Sequence, residues 1–74
     1  MARLPALKAK EVIGALQELG FQVDHVTGSH YILRHPGGRR VVVPYHGKGD
    51  VKQGVLRSII RQAGITPEEF KKLI

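Results

Sequence analysis

The chain has 74 residues, no cysteine and a formal net charge of +6, from 12 Lys and Arg against 6 Asp and Glu. A chain of this length forms one thin core, which excludes a deep substrate pocket, and the lack of cysteine excludes disulfide-braced secreted domains and thiolate metal sites. The excess of positive charge favours a polyanionic partner, nucleic acid before an anionic membrane.

The first predicted element is a helix over residues 8–19, where apolar residues recur at helical spacing before the stop signal Gly20. Three strands are then predicted over residues 21–26, 30–34 and 39–43. Short turns separate these strands. We therefore expect one antiparallel three-stranded sheet.

The second hairpin contains the pair Gly37-Gly38, which can adopt the positive φ angles of a two-residue turn. Such a turn fixes the register of the two strands. The predicted opposite pairs are His30 with Tyr45, Ile32 with Val43, and Arg34 with Val41.

This register leaves open which face of the sheet the helices cover. In one alternative, the residues that emerge on the uncovered face form an apolar patch of the kind that marks a partner surface. That alternative buries Ile32, Val41 and Val43 and exposes Tyr31, Leu33 and Val42. The other alternative has the opposite parity.

The segment 45–53 is polar and rich in glycine, which predicts a loop. A second helix follows from Gly54 until Gly64 stops it, and Thr66-Pro67-Glu68-Glu69 is a capping box that begins a short last helix. The expected fold is α+β in the order α-β-β-β-α, similar to the double-stranded RNA-binding domain. Both helices lie on one face of the sheet, and residues 1–74 form a single domain.

The candidate catalytic group is His30, in the tripeptide Gly28-Ser29-His30. Histidine titrates near neutrality, so it can move protons to or from a ribose 2′-hydroxyl or a leaving 5′-oxygen. The antiparallel order brings His30 close to the loop and to the start of the second helix. Ser29 either contacts a phosphate or holds the turn, and the turn is the preferred interpretation.

A phosphate can bind at the start of the second helix, because unpaired amides and the positive dipole end lie there. Lys48 and Lys52 add charge just before it, and Arg57 and Arg61 extend a possible RNA track along the exposed side of that helix. His46 is the nearby candidate for a second acid or base.

Base stacking is limited to Tyr31 and Tyr45, since Phe21 and Phe70 are predicted to lie in the core. The histidines lack the spacing of a metal site, so neither a metal nor another cofactor is expected. No stretch approaches the roughly 20 apolar residues of a membrane span, and a cytoplasmic location is expected.

Several motifs together resemble the HicA family of toxin ribonucleases over nearly the whole chain. They are the tripeptide Gly28-Ser29-His30 and the three segments at residues 35–40, 43–47 and 54–65. The resemblance implies a double-stranded RNA-binding-like fold, with the histidine of the Gly-Ser-His motif as the catalytic residue, here His30. It also implies a toxin that cleaves mRNA and is silenced by a HicB-type antitoxin. The lack of a metal-ligand set in the sequence adds the expectation that cleavage needs no metal.

The alternative function is a non-catalytic RNA-binding module of double-stranded RNA-binding type. That domain usually holds duplex RNA with lysines at the start of its second helix, whereas here Lys48 and Lys52 are spread through a glycine-rich loop. A pure protein-interaction domain would leave the charge unexplained.

Overall fold

The computed structural model describes residues 4–45 and 49–74, and it has the expected α+β architecture. The helices and strands follow one another in the order α1 (Ala9–Glu18), β1 (Gln22–Thr27), β2 (His30–Arg34), β3 (Arg40–Pro44), α2 (Gln53–Ala63) and α3 (Pro67–Lys71). The strands form one antiparallel sheet in the order β1-β2-β3. The predicted helix-strand order is confirmed.

Helix ends follow the signals in the sequence. Gly20, just after α1, has φ +100°, and Gly64 caps α2 in the left-handed region at φ +76°. At the start of α3, the Glu69 N–H donates to Thr66 Oγ1 at 3.1 Å and the Thr66 N–H donates to Glu69 Oε1 at 3.0 Å. This is the predicted capping box, in which side chains satisfy backbone donors that the helix leaves free.

The core lies between the helices and one face of the sheet. Phe70 of α3 is fully buried, and Phe21 is 2% exposed, as predicted for both. The sheet contributes Leu33, Val41 and Val43 to the same cluster, each with 0% exposure. Helices α1 and α2 contribute Ala9, Val12, Ile13, Ala15, Leu16, Leu56, Ile59, Ile60 and Ala63.

The register of the second hairpin differs from the predicted one by one residue. His30 pairs with Pro44 rather than with Tyr45. The cause is the turn. The His35 N–H donates to the Arg39 carbonyl at 2.9 Å, so the loop between these two bonded residues has three residues, 36–38, and not the two that were predicted. Gly38, at φ +100°, is the last of the three, in the left-handed position such loops require.

Because successive side chains of a strand point to opposite faces, this shift of one residue places each β2 side chain on the face opposite to the predicted one. Leu33 and Tyr31 pack toward the helices, so the expectation that they emerge on the uncovered face was wrong. Ile32 was expected to be buried facing the helices; it is buried, at 4% exposure, but it lies on the other face of the sheet, where it pairs with Val42. The predicted orientation of β3 was right, since Val41 and Val43 are buried and Val42 is half-buried.

We call the sheet surface opposite the helices the open face. Alternation along the strands from Ile32 and Val42 defines it, together with the register of β1. Its residues are His25 and Thr27 of β1, His30, Ile32 and Arg34 of β2, and Arg40, Val42 and Pro44 of β3.

Candidate active site

His30 begins β2 at one end of the sheet and is exposed on the open face. Its neighbours are Thr27 on β1 and Pro44 on β3. Gly28 and Ser29 form the two-residue turn before it, and Gly28 has φ +56°. A glycine with positive φ at the first turn position is the pattern of a type II′ hairpin turn, which holds His30 at a fixed place.

Ser29 contributes to the structure of this turn through its backbone. Its carbonyl accepts a hydrogen bond from the Tyr45 N–H, which ties the turn to the end of β3. The side chain of Tyr45 lies 5.1 Å from Tyr31 between ring centroids, and both tyrosines pack against the core on the helix side. The two candidate stacking residues therefore lie away from the open face.

The start of α2 lies next to this end of the sheet. Pro44, the partner of His30, lines a hollow together with Asp50, Val51, Lys52 and Val55. The end of β3 thus lies beside the segment before α2 and the helix start, and His30 is on the neighbouring strand. His46 and Lys48 lie outside the described residues.

The first turn of α2 differs from those of the other helices in its charge. Glu11 lies in the first turn of α1, and Glu68 and Glu69 in that of α3, whereas α2 has no acidic residue there. Lys52 is its N-cap residue, with an exposed side chain. The positive end of the α2 dipole is therefore reinforced by a cation, an arrangement that favours an anion.

Arg57 and Arg61 lie one helical turn apart, but the structure does not bring them to His30. They line a separate hollow with Ile65, Thr66 and Pro67, between α2 and the start of α3. Arg57 is half-buried and Arg61 is exposed. These two arginines form a second basic surface, on the helix side of the molecule.

Two further groups of charged residues lie on the open face, outside the candidate site that the sequence predicts. Arg34 pairs directly with Arg40 across β2 and β3, an arrangement of like charges that an anion between them would relieve. Asp24 Oδ2 lies 2.7 Å from His25 Nδ1 and 3.4 Å from Arg34 Nε. The available signal was the break in alternation at Asp24-His25, in a segment predicted to be a strand.

The Asp24 carboxylate is stabilised in its charged form by these neighbours. The hydrogen bond from His25 lowers the pKa of Asp24 below its ordinary value, and the hydrogen bond and charge of Arg34 act in the same direction. Partial desolvation opposes them. Asp24 is therefore an ionised acceptor at neutral pH.

His35, in contrast, is used by the fold. Its Nδ1 accepts from the Gly37 N–H at 2.9 Å, and its Nε2 lies 3.2 Å from the Leu19 carbonyl. Because an amide N–H can only donate, the ring is the neutral tautomer with its proton on Nε2. The ring also packs 5.1 Å from that of Phe21, so His35 links the hairpin turn to the end of α1.

Comparison with protein families identifies the chain. The family model described as the HicA toxin of bacterial toxin-antitoxin systems matches residues 9–65. The chain belongs to the HicA toxin family. A search of curated proteins gave no match.

This membership makes the protein a toxin of a toxin–antitoxin system, and an antitoxin is the partner that it implies. The matched range contains α1, the sheet and α2, and it ends just before α3. No helix in the described ranges is both long and apolar enough to cross a membrane. Among the same residues, no three His, Asp or Glu side chains form a group that could hold a metal ion.

Proposed function

We propose that this HicA-family toxin cleaves mRNA in the cytoplasm, that His30 transfers a proton in the reaction, and that no metal or other cofactor takes part. The observation that carries the proposal is the position of His30. It is exposed on the open face beside Pro44, and the hollow that Pro44 lines contains Lys52 at the positive end of α2. A proton-transfer group thus adjoins a place suited to a phosphate.

Different basic residues bind different parts of the RNA backbone. Lys52, and Lys48 in the same loop, bind the phosphate nearest His30. Arg34 and Arg40 extend the positive charge along the open face. Arg57 and Arg61 add sequence-independent affinity on the helix side. Ser29 acts mainly through its turn, with its hydroxyl available to a phosphate.

The test is cleavage of labelled single-stranded RNA in excess EDTA by wild type and by His30→Ala. We expect wild type to remain active, and the variant to lose roughly 10²- to 10⁴-fold in rate, the usual contribution of one general acid or base. The variant should keep its fold and its RNA affinity, because an exposed side chain at a sheet end contributes little packing. Growth arrest on expression should disappear with it.

Two outcomes would contradict the proposal. Activity that is lost in EDTA and restored by a divalent metal would refute the metal-independent reaction. If folded His30→Ala cleaves as fast as wild type, the catalytic assignment is wrong, and the non-catalytic RNA-binding module becomes the better interpretation.

We further propose that a HicB-type antitoxin silences the toxin by covering the open face. His30, Arg34 and Arg40 all lie there, so one bound protein could block the histidine and the phosphate-binding charge together. Adding the purified antitoxin to the same assay should stop cleavage by wild type. It should also abolish RNA binding by His30→Ala, which separates masking from a direct effect on chemistry.

A further inference from the structure

The strand beside His30 carries an irregularity that changes which side chains share its face. The pairing of β1 with β2 is regular from Thr27 to His25 and shifts between His25 and Val23, where Asp24 is an extra residue. Such a bulge redirects side chains and is common next to active sites. Here it allows Asp24 and His25, neighbours in sequence, to act on the same side of the sheet.

One strand pairing and one side-chain contact show that Asp24 and His25 lie on the open face. His25 is the cross-strand partner of Ile32, which alternates with His30 on the open face. Asp24 Oδ2 reaches Arg34 Nε at 3.4 Å, and Arg34 also belongs to the open face. Both side chains are about half exposed, 49% for His25 and 44% for Asp24, so they are accessible to a ligand.

The register also gives the relation of His25 to His30. The residue opposite His30 is Thr27, and His25 lies two positions before Thr27 on β1. The two histidines are therefore diagonal neighbours on one face. In antiparallel sheets such neighbours are roughly 7–8 Å apart, a spacing across which two imidazoles can reach opposite sides of one phosphodiester.

The hydrogen bond to Asp24 determines which nitrogen of His25 is free. An ionised carboxylate only accepts, so the 2.7 Å contact places a proton on Nδ1. Nε2 is then directed away from Asp24 and is available to a substrate. A carboxylate that fixes the tautomer and orientation of an imidazole is a recurrent device in proton-transfer catalysis.

We propose that His25 is the second proton-transfer residue of this toxin and that Asp24 is its positioning residue. This inference rests on the proposed function, since it supplies the acid–base partner that His30 needs. His46, the partner suggested by the sequence, lies outside the described residues and becomes the competing assignment.

The reaction balances with two histidines alone. The ribose 2′-oxygen attacks phosphorus, and one imidazole takes its proton as the P–O2′ bond forms. The P–O5′ bond breaks, and the other imidazole donates a proton to the leaving 5′-oxygen. The products are a 2′,3′-cyclic phosphate end and a 5′-hydroxyl end, and one proton has moved between the two histidines through the substrate.

The experiment compares His25→Ala, Asp24→Asn and His30→Ala with wild type on an RNA of defined sequence. We expect His25→Ala to lose roughly 10²- to 10⁴-fold in rate. Asp24→Asn should reduce the cleavage rate by a smaller factor and should shift the pH–rate profile. It removes the carboxylate that binds His25 Nδ1 but leaves the imidazole in place. Val26→Thr, a change of similar size on the same strand but the opposite face, should cleave like wild type.

A second substrate separates proton transfer from a structural effect. An RNA whose scissile 5′-oxygen is replaced by sulfur has a leaving group that needs no proton. If the two histidines act as acid and base, this substrate should restore the rate of one of the two histidine variants and not of the other. Rescue of neither, with both variants folded, would overturn the proposal.

The failure of this inference is distinguishable from failure of the proposed function. If His30→Ala is inactive while His25→Ala cleaves at the wild-type rate, His25 has no role in the step and His30 keeps its own. If wild type itself does not cleave RNA, the proposed function fails, and with it the basis for a second proton-transfer residue.

Discussion

Arg39 lies over the residue that ends α2. A Cβ atom built on Gly64 would come within 2.6 Å of Arg39 Nε and 2.7 Å of Arg39 Cζ. The guanidinium therefore rests against the C-terminal end of the helix, where the backbone carbonyls carry partial negative charge. Gly64 permits both its own left-handed backbone, at φ +76°, and this close approach.

Replacing Gly64 with Ala should destabilise the protein by about 1–2 kcal/mol, because a side chain at this φ is strained and Arg39 must move. The matched control is Gly14→Ala in the middle of α1, where a new Cβ would meet nothing within 4 Å. That change should stabilise by about 0.5–1 kcal/mol, as glycine lowers helix stability. Urea denaturation measures both, and equal effects of the two changes would contradict the role given to Gly64.

The three histidines that the structure describes differ in their contacts although they are the same residue type. His35 uses both ring nitrogens for backbone contacts within the fold, and His25 is bonded to Asp24 through Nδ1. His30 is exposed and pairs with Pro44, which lines the hollow at the start of α2. The sequence predicted the end of the sheet at which His30 lies, because strand order alone brings the start of β2 to the end of β3. It did not predict the partner, which is Pro44 rather than Tyr45.

The Asp24-His25 pair could not be predicted in the same way. Simple alternation places neighbouring residues on opposite faces, and the bulge that unites them depends on hydrogen bonding between strands. The orientation of β2 was equally undetermined, because Tyr31, Ile32 and Leu33 are three consecutive residues with large apolar surface. Only the length of the hairpin loop decides which of them face the helices, and Pro36-Gly37-Gly38 is compatible with more than one turn.

Helix α3 is short and depends on its cap. Glu69 accepts from the Thr66 N–H, and the backbone and side-chain hydrogen bonds with Thr66 lower the pKa of Glu69 below its ordinary value. A carboxyl whose pKa is lower in the folded state stabilises the fold above its unfolded pKa. That stabilisation is lost as the pH falls through the folded pKa.

We therefore expect Glu69→Gln to lower the melting temperature at neutral pH, and the difference from wild type to narrow as the pH falls from about 5 toward 3. Glu68→Gln is the control, since it removes a charge from the same helical turn without removing the bond to Thr66. Melting curves across this pH range measure the effect. A constant difference between wild type and Glu69→Gln would show that the cap does not depend on ionisation.

The protein is thin, with extents of 32 × 30 × 17 Å. One sheet and one layer of helices fill the short dimension, so none of the described helices covers the open face. The net charge of +6 is spread over both sides, with Arg34 and Arg40 on the open face and Arg57 and Arg61 on the helix side. RNA affinity should consequently fall steeply as salt is added.

Replacing Arg57 and Arg61 together with Gln should weaken binding to all RNA sequences alike. The slope of log affinity against log salt should flatten by roughly 1.4, about 0.7 for each lost contact with a single strand. Cleavage at saturating RNA should be unchanged, because these residues lie away from His30. Lys71→Gln with Lys72→Gln removes the same charge elsewhere, and an equal change in slope would indicate a net-charge effect and no direct contact.

The two edges of the sheet are closed to different degrees. On β3, the outward Val42 N–H donates to Gln62 Oε1 at 3.1 Å, and Pro44 has no N–H to offer. All six residues of β1 are exposed, and its outer side pairs with no described strand. An extended peptide can therefore form backbone hydrogen bonds along the outer side of β1. Along β3, fewer backbone donors are free to pair with it. Growth of the sheet by strand addition is directional, and the added strand would run alongside Asp24 and His25.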